Sequence, residues 1–191
     1  TTHYSVVDKD GNAVAVTYTI NFLFGNQQIA GNTGFFLNDE MDDFTSKPGV
    51  PNAAGLVQGV INQVEPGKRP LSSMTPTIVL RNGKLFMVTG SPGSATIIST
   101  TLESILNVID FGMNMQQAVD APRMHQQWYP QVVYVERGLL TPDAKKKLET
   151  MGYKFKIFTG GADEAILVNS KTGLLEGAND PRRPAGLASG Y

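Results

Sequence analysis

Thr1-Thr2-His3-Tyr4-Ser5-Val6-Val7-Asp8-Lys9-Asp10-Gly11-Asn12-Ala13-Val14-Ala15-Val16-Thr17-Tyr18-Thr19-Ile20-Asn21 opens the chain and reads as a β-hairpin turning at Asp8 to Asn12. A type I turn followed by Gly11 in the left-handed conformation makes a three-residue loop that pairs Asp8 with Asn12. That register sets Val7 opposite Ala13, Ser5 opposite Ala15, His3 opposite Thr17 and Thr1 opposite Thr19. Period two then sorts the faces. Thr2, Tyr4, Val6, Val14, Val16, Tyr18 and Ile20 form the apolar one; Thr1, His3, Ser5, Thr17, Thr19 and Asn21 share the other. A hairpin serving only a core would not give a whole face to small hydroxyls. A two-residue Asp-Gly loop is the alternative, and it would set Thr1 opposite Ile20.

The first residue is threonine instead of methionine, which reads as a mature product whose preceding segment was removed. A threonine with a free α-amine carries nucleophile and base together. An amine with a pKa of roughly 7.7–8 can take the proton from its own hydroxyl, directly or through a water. Trimming by a signal peptidase or a tag protease is the plain alternative.

A single domain over residues 1–191 is the expectation for 191 residues that are 41% hydrophobic and 17% charged. A net charge of -1 offers no basic field for nucleic acid or an anionic membrane, so a small molecule or peptide is the expected partner. The absence of cysteine excludes disulfides, thiol nucleophiles and thiolate metal sites, and suits an exported protein. No apolar run approaches the ~20 residues of a membrane helix.

Residues 22 to 70 are rich in Gly, Asn, Asp and Pro and read as loop with scattered strand, a length that tends to be functional. Thr77–Arg81 and Lys84–Thr89 read as strands joined by Asn82-Gly83, a strong hairpin signal. Gly90-Ser91-Pro92-Gly93-Ser94-Ala95 opens a helix that carries Ile98, Leu102, Ile105, Leu106 and Ile109 on one face and stops at Gly112. A short helix follows at Met115 to Asp120, then a strand at Val132 to Glu136. Thr141-Pro142 caps a helix that ends at Gly152. Strands follow at Tyr153 to Phe158, Glu164 to Val168 and Leu174 to Gly177. Antiparallel pairs with two or three helices make an α+β domain of layered sheets and helices.

Four constellations can carry chemistry. Thr1 with Thr19 and Asn21 is the first. Glu40-Met41-Asp42-Asp43 offers three carboxylates in four residues, without the glycine and alternating ligands of a calcium loop, so no metal is expected. Such a group suits a substrate ammonium; solvated loop charge is the plain alternative. Arg69-Pro70-Leu71-Ser72-Ser73-Met74 sets two hydroxyls behind a rigid proline, suited to a carboxylate or to capping a turn. Neither serine lies in a nucleophile elbow, and His3 and His125 add no triad. Gly93-Ser94 can aim two N–H groups at a developing oxyanion. His125 and Trp128 read as packing residues.

Taken in order, Thr1-Thr2-His3-Tyr4-Ser5-Val6, Asn38-Asp39-Glu40-Met41-Asp42-Asp43-Phe44, Lys68-Arg69-Pro70-Leu71-Ser72-Ser73-Met74, Gly90-Ser91-Pro92-Gly93 and the closing Asn179-Asp180-Pro181-Arg182 resemble the small subunit of bacterial γ-glutamyltranspeptidases. The resemblance implies the N-terminal nucleophile (Ntn) hydrolase αββα sandwich, completed by a large subunit cut from the same precursor by autoproteolysis before Thr1. It implies a periplasmic or secreted enzyme, exported by an upstream signal peptide, that needs no cofactor. By it Thr1 is the nucleophile and Thr19 the hydroxyl that positions it. Asn21, Glu40 and Asp43 hold the α-amine of the glutamyl group and Ser72 and Ser73 its α-carboxylate, with a large-subunit arginine. Backbone N–H groups of Gly93 and Ser94 hold the oxyanion. The substrates implied are glutathione and other γ-glutamyl amides, the acceptors water, amino acids or peptides. Acylases of the same fold on glutaryl or cephalosporin-type amides, and non-catalytic relatives, are the alternatives. Two departures stand out: the family has a second glycine where this chain has Ser94, so a left-handed φ there would be strained, and the loop Phe22 to Gln28 is bulkier.

Overall fold

The computed structural model describes residues 1–190. Two compact units share the chain: one holds Thr1–Thr2 and Tyr18–Ser73, the other His3–Thr17 and the chain from Met74 on.

Strands β1 (Thr2–Val7) and β2 (Ala13–Tyr18) form the opening hairpin. Asp8 N–H donates to Asn12 O at 3.0 Å, and Gly11 takes φ +82. The Asp8 carboxylate accepts from the Asp10 and Asn12 N–H groups, each at 2.9 Å, and so fixes the three-residue loop. The slipped two-residue alternative is thereby ruled out. Burial inverts the usual order of faces. Tyr4, Val6 and Val14 are each close to half exposed, whereas His3 is only 5% exposed. The polar face is the inner one because it has partners: Ser5 Oγ donates to Glu164 O at 2.7 Å, and the His3 ring lies against Gly90 so closely that a Cβ there would overlap it.

Strands β3 (Thr77–Arg81) and β4 (Lys84–Thr89) turn through Asn82 and Gly83 at φ +53 and +76, the left-handed pair a tight hairpin turn requires. Helices α1 (Thr96–Ile109) and α2 (Met115–Asp120) follow. A second sheet joins β5 (Met124–His125), β6 (Val133–Val135) and, after helix α3 (Pro142–Thr150), β7 (Phe155–Ile157). β6 and β7 are parallel, and α3 is the crossover such a pair needs. Its start is set by the Thr141 hydroxyl, which accepts from Ala144 N–H at 3.2 Å. Strands β8 (Glu164–Val168) and β9 (Leu175–Asn179) complete an antiparallel sheet in the order β3-β4-β8-β9. The core lies where α1 and α2 meet that sheet, around Phe86, Met87, Val108, Met115, Val119 and Leu167. β5 went unforeseen because two residues carry no readable period.

Helix α1 also corrects the expected packing. Its buried side is Ile97, Thr100, Thr101, Ser104 and Val108, while Ile98 and Leu102 of the long apolar stripe are 53% and 51% exposed. Small hydroxyl residues let the helix lie close to its neighbours. Half exposed, each large side chain of the stripe leaves roughly 1 kcal/mol unrealised. Trp128 likewise does not pack: it is 73% exposed at φ +75, whereas His125 is buried between the Ser99 hydroxyl and Gln127.

The other unit has almost no core; Phe44 and Thr45 are its buried pair of large side chains. Polar side chains hold its loops instead. Asn62 Nδ2 donates to Asp43 O at 2.7 Å while Asn62 Oδ1 accepts from Leu71 N–H at 3.0 Å. Short 3-10 helices cover Glu40–Asp43 and Val60–Asn62.

A ring of charge ties β9's end to the second sheet. Arg123 pairs with Asp180 at 2.7 Å, and Arg182 donates to Asp180 at 3.1 Å and through Nε to Glu136 at 2.7 Å. Burial alone would raise the Asp180 pKa, but the Arg123 charge holds it below the usual range. Glu103, facing Met124 N–H from α1, goes the other way: burial pushes it up to about 7 against that hydrogen bond and Arg123. A carboxyl whose folded pKa is raised stabilises most below its unfolded value and loses that contribution as pH climbs through the folded one. Glu103→Gln is therefore expected to gain thermal midpoint on the native protein between pH 5 and pH 8. Parallel melting curves that stay equally spaced across that range would remove Glu103 as the cause.

Candidate active site

At the open end of the hairpin the Thr1 hydroxyl donates to Thr19 Oγ1 at 2.9 Å. The same Thr19 oxygen accepts from Asn21 N–H at 2.8 Å, so it is a fixed acceptor. The Thr1 α-ammonium faces the Asn21 carbonyl at a long 3.5 Å. One threonine thus has its hydroxyl and its amine oriented by residues eighteen and twenty positions away, as the hairpin register requires. Asn21 adopts φ +69, a conformation asparagine tolerates better than most residues, and its amide donates to Asp39 O at 3.3 Å.

The acidic group comes next to this threonine electrically as well as through the chain. Burial is the largest cause that lifts Glu40 to about pKa 7; the neighbouring carboxyls of Asp43 and Asp39 add to it, and the N-terminal ammonium opposes it. Glu40 Oε1 is buried and carries no hydrogen bond. Carboxyls of Glu40, Asp43 and Asp39 lie close enough to raise one another's proton affinity, an arrangement that suits a cationic group. Among the described residues no cluster of three or more His, Asp or Glu side chains is arranged to hold a metal ion.

Ser72 and Ser73 end the same unit, Ser72 exposed and Ser73 half-buried. Asn62 links them to the acids, since it holds the Asp43 carbonyl and the Leu71 N–H that leads into the serines. Sequence reasoning missed Asn62 and also Asp39, whose carboxylate accepts from Phe22 N–H at 3.1 Å. Both are loop asparagine or aspartate residues, types so common in turns that nothing in the sequence separates these two.

Gly93 and Ser94 belong to the other unit, between β4 and α1. Gly93 takes φ +138, and a Cβ there would overlap the Thr96 hydroxyl, so glycine is required. A cleft of about 370 Å³ lined by Gly93, Thr96, Phe158, Gly160, Gly161 and Arg183 leaves one side of this turn unpacked. Ser94 lies at φ +55, the strained left-handed case set out from the sequence. Ser94 holds this conformation at a cost, and the direction of its N–H is set by the backbone of the turn and not by the side chain.

A profile of the family described as gamma-glutamyltranspeptidase matches residues 1–190. The chain belongs to that family. Among curated proteins, this chain is 56% identical over its whole length to the glutathione hydrolase proenzyme of Pseudomonas sp. (strain A14), of which it covers 35%. It is 54% identical, again over its whole length, to the glutathione hydrolase proenzyme of Escherichia coli (strain K12), of which it covers 33%. The chain thus spans about a third of the length of the curated relatives it matches. Among solved structures it is similar to the T380A mutant of Helicobacter pylori γ-glutamyltranspeptidase. That match has a TM-score of 0.91 and 49% identity, and covers 96% of this chain and all of that one. The fold class read from the sequence, mixed helix and sheet of the N-terminal nucleophile hydrolase type, stands with these relatives.

Ser94→Gly removes about 1–2 kcal/mol of left-handed strain. It is expected to raise the thermal midpoint by roughly 2–8 °C. A midpoint that falls in scanning calorimetry would mean the turn does not hold residue 94 left-handed.

Proposed function

We propose that this chain is the nucleophile-bearing subunit of an enzyme that cleaves γ-glutamyl amides such as glutathione and passes the glutamyl group to water, an amino acid or a peptide. The observation that carries the reading is the 2.9 Å bond from the Thr1 hydroxyl to Thr19 with the Thr1 amine turned toward the Asn21 carbonyl. Thr1 Oγ1 attacks the γ-carbonyl while its α-amine, directly or through a water, accepts the hydroxyl proton. Thr19 orients the nucleophile. Backbone N–H groups of Gly93 and Ser94 are read as the oxyanion donors. The amine, now protonated, returns its proton to the leaving amine; water or an acceptor amine then resolves the acyl-enzyme by the reverse sequence.

Glu40, Asp43 and Asn21 serve the α-ammonium of the glutamyl group, and Ser72 and Ser73 its α-carboxylate. The unmet negative charge around Glu40 supports this over a glutaryl acylase, because a glutaryl group has no ammonium to place there. Relatives that carry the word proenzyme, and of which this chain covers only a third, support a second subunit made from the same precursor by a cut before Thr1. The exposed Ile98 and Leu102 of α1 suit such a subunit. Among the described residues no helix is long and apolar enough to cross a membrane. Export to the periplasm or medium is part of the same reading, and cell fractionation tests it.

Thr1→Ala in the full precursor is expected to leave the chain uncut and to lower release of a chromophore from a γ-glutamyl anilide by about a thousandfold or more. Thr1→Ser retains both reactions in part. Undiminished turnover in Thr1→Ala removes Thr1 from the mechanism, and a glutaryl anilide cleaved as fast as the glutamyl one removes the ammonium clamp.

Two pH trends separate the roles. kcat rises as the Thr1 amine loses its proton near the usual α-amine range of roughly 7.7–8. KM for the donor falls as pH rises through about 7, where Glu40 becomes charged. In Glu40→Gln the KM trend disappears, KM at pH 8 rises about tenfold, and the kcat trend stays. Steady-state kinetics from pH 5.5 to 9 decide it; an unchanged KM trend in the variant excludes Glu40.

A further inference from the structure

Each residue of the segment Ala162–Glu164 is hydrogen-bonded to the turn at Thr89–Ser91. Asp163 Oδ1 accepts from the Thr89 hydroxyl at 2.7 Å and from Gly90 N–H at 3.2 Å. Gly90 O accepts from Glu164 N–H at 3.1 Å. Ser91 Oγ accepts from Ala162 N–H at 2.8 Å and donates to Pro92 O at 2.6 Å. Thr89, Ser91 and Asp163 are fully buried. On its other side Asp163 is anchored, since its own N–H donates to Asp180 Oδ2 at 2.8 Å, the carboxylate that pairs with Arg123. Gly90 has no room to shift, with the His3 ring where its Cβ would stand.

The carboxyl of Asp163 reaches the turn's backbone from a rigid, charge-anchored base. We infer that Asp163 is a positioning residue for acyl transfer: by holding Gly90 N–H and the Thr89 hydroxyl it fixes the start of the Gly90–Ser94 turn and so the aim of the Gly93 and Ser94 N–H groups. This rests on the reading of those two as oxyanion donors. Donors aimed in advance are the ones that lower a barrier, because no reorganisation is needed at the moment of reaction.

Burial pushes the Asp163 pKa up, against hydrogen bonding with Ser104 and Thr89, the Arg123 charge and the Gly90 N–H. Both bonds to the turn fall on Oδ1, so the turn makes no use of the second carboxylate oxygen. An amide of the same shape can therefore replace it.

The test uses the processed two-subunit enzyme. Asp163→Ala is expected to lower kcat on a γ-glutamyl anilide by roughly ten- to a hundredfold, short of the loss of a whole donor, with KM within about twofold. Asp163→Asn keeps an oxygen for both bonds and is expected within about threefold of the native kcat. A glutamate analogue with a γ-boronic acid, which forms a tetrahedral oxyanion adduct on the nucleophile, should bind Asp163→Ala more weakly by the same factor as kcat falls. Should Asp163→Ala fail to fold, Thr89→Val with Asp163→Asn carries the test, the first losing kcat and the second keeping it. Native kcat in Asp163→Ala or Thr89→Val overturns the inference, and so does an Asp163→Asn as impaired as the alanine. Replacing the Gly93 or Ser94 amide by an ester, which deletes its N–H, tests the donor reading alone. If both esters leave the boronate adduct intact, the donor reading fails and this inference falls with it. If an ester weakens the adduct while Asp163→Ala does not, the Asp163 inference fails alone.

Discussion

The pairing of Asp8 with Asn12 is the constraint on which the rest depends. Strand side chains alternate with period two, so a slip of one residue at this loop would carry every side chain of one strand to the other face. With the Asp8 carboxylate holding the N–H groups of Asp10 and Asn12, the loop has one length and the strands one register. Thr1 then meets Thr19, and His3 meets Thr17 with 2.7 Å between Nδ1 and the hydroxyl. A hydrogen bond at the chain's first residue is thus set by a turn seven residues away.

Two faces that a soluble monomer would bury are left open, and two that it would expose are packed. Large aliphatics of α1 and the apolar hairpin face stand out, whereas Thr100, Thr101, Ser104 and His3 point in. Small polar residues on the inner sides allow close backbone approach, and the cost is met by hydrogen bonds such as that from Ser5 to Glu164 O. Burial also takes His3 down to about pKa 4, so it stays a neutral hydrogen-bonding ring beside Gly90 across the neutral range. The arrangement sets a rigid polar interior behind the turn at the head of α1 and leaves apolar surface for a further layer.

Several sites were legible because their chemistry is local. The Asn82-Gly83 turn, the Thr141-Pro142 cap and the Gly11 loop each need a residue type at one backbone position, and each formed as read. The acids at Glu40–Asp43 and the hydroxyls at Ser72–Ser73 were visible as clusters. Asn62, which ties the backbone of one to the lead-in of the other, was not, because its role is a distance across the chain and not a pattern along it. The same holds for Asp163, an acid in an ordinary strand approach that becomes informative only when Thr89 and Gly90 are found on its carboxyl.

By itself the sequence determined that the chain opens on a hairpin, with two registers from which the folded loop chose, most of the strand and helix order, and the residue types available for an amine, a carboxylate and an oxyanion. Those follow from turn stereochemistry, side-chain period and functional-group chemistry, all of which act over a few residues. Tertiary structure alone decided which faces are buried, that Ser94 is left-handed, that Glu40 keeps a proton near neutrality, and that Arg123, Asp180 and Arg182 share one charge ring. Each of these is set by desolvation or by contact between segments far apart in the chain, and neither quantity exists until the chain has folded.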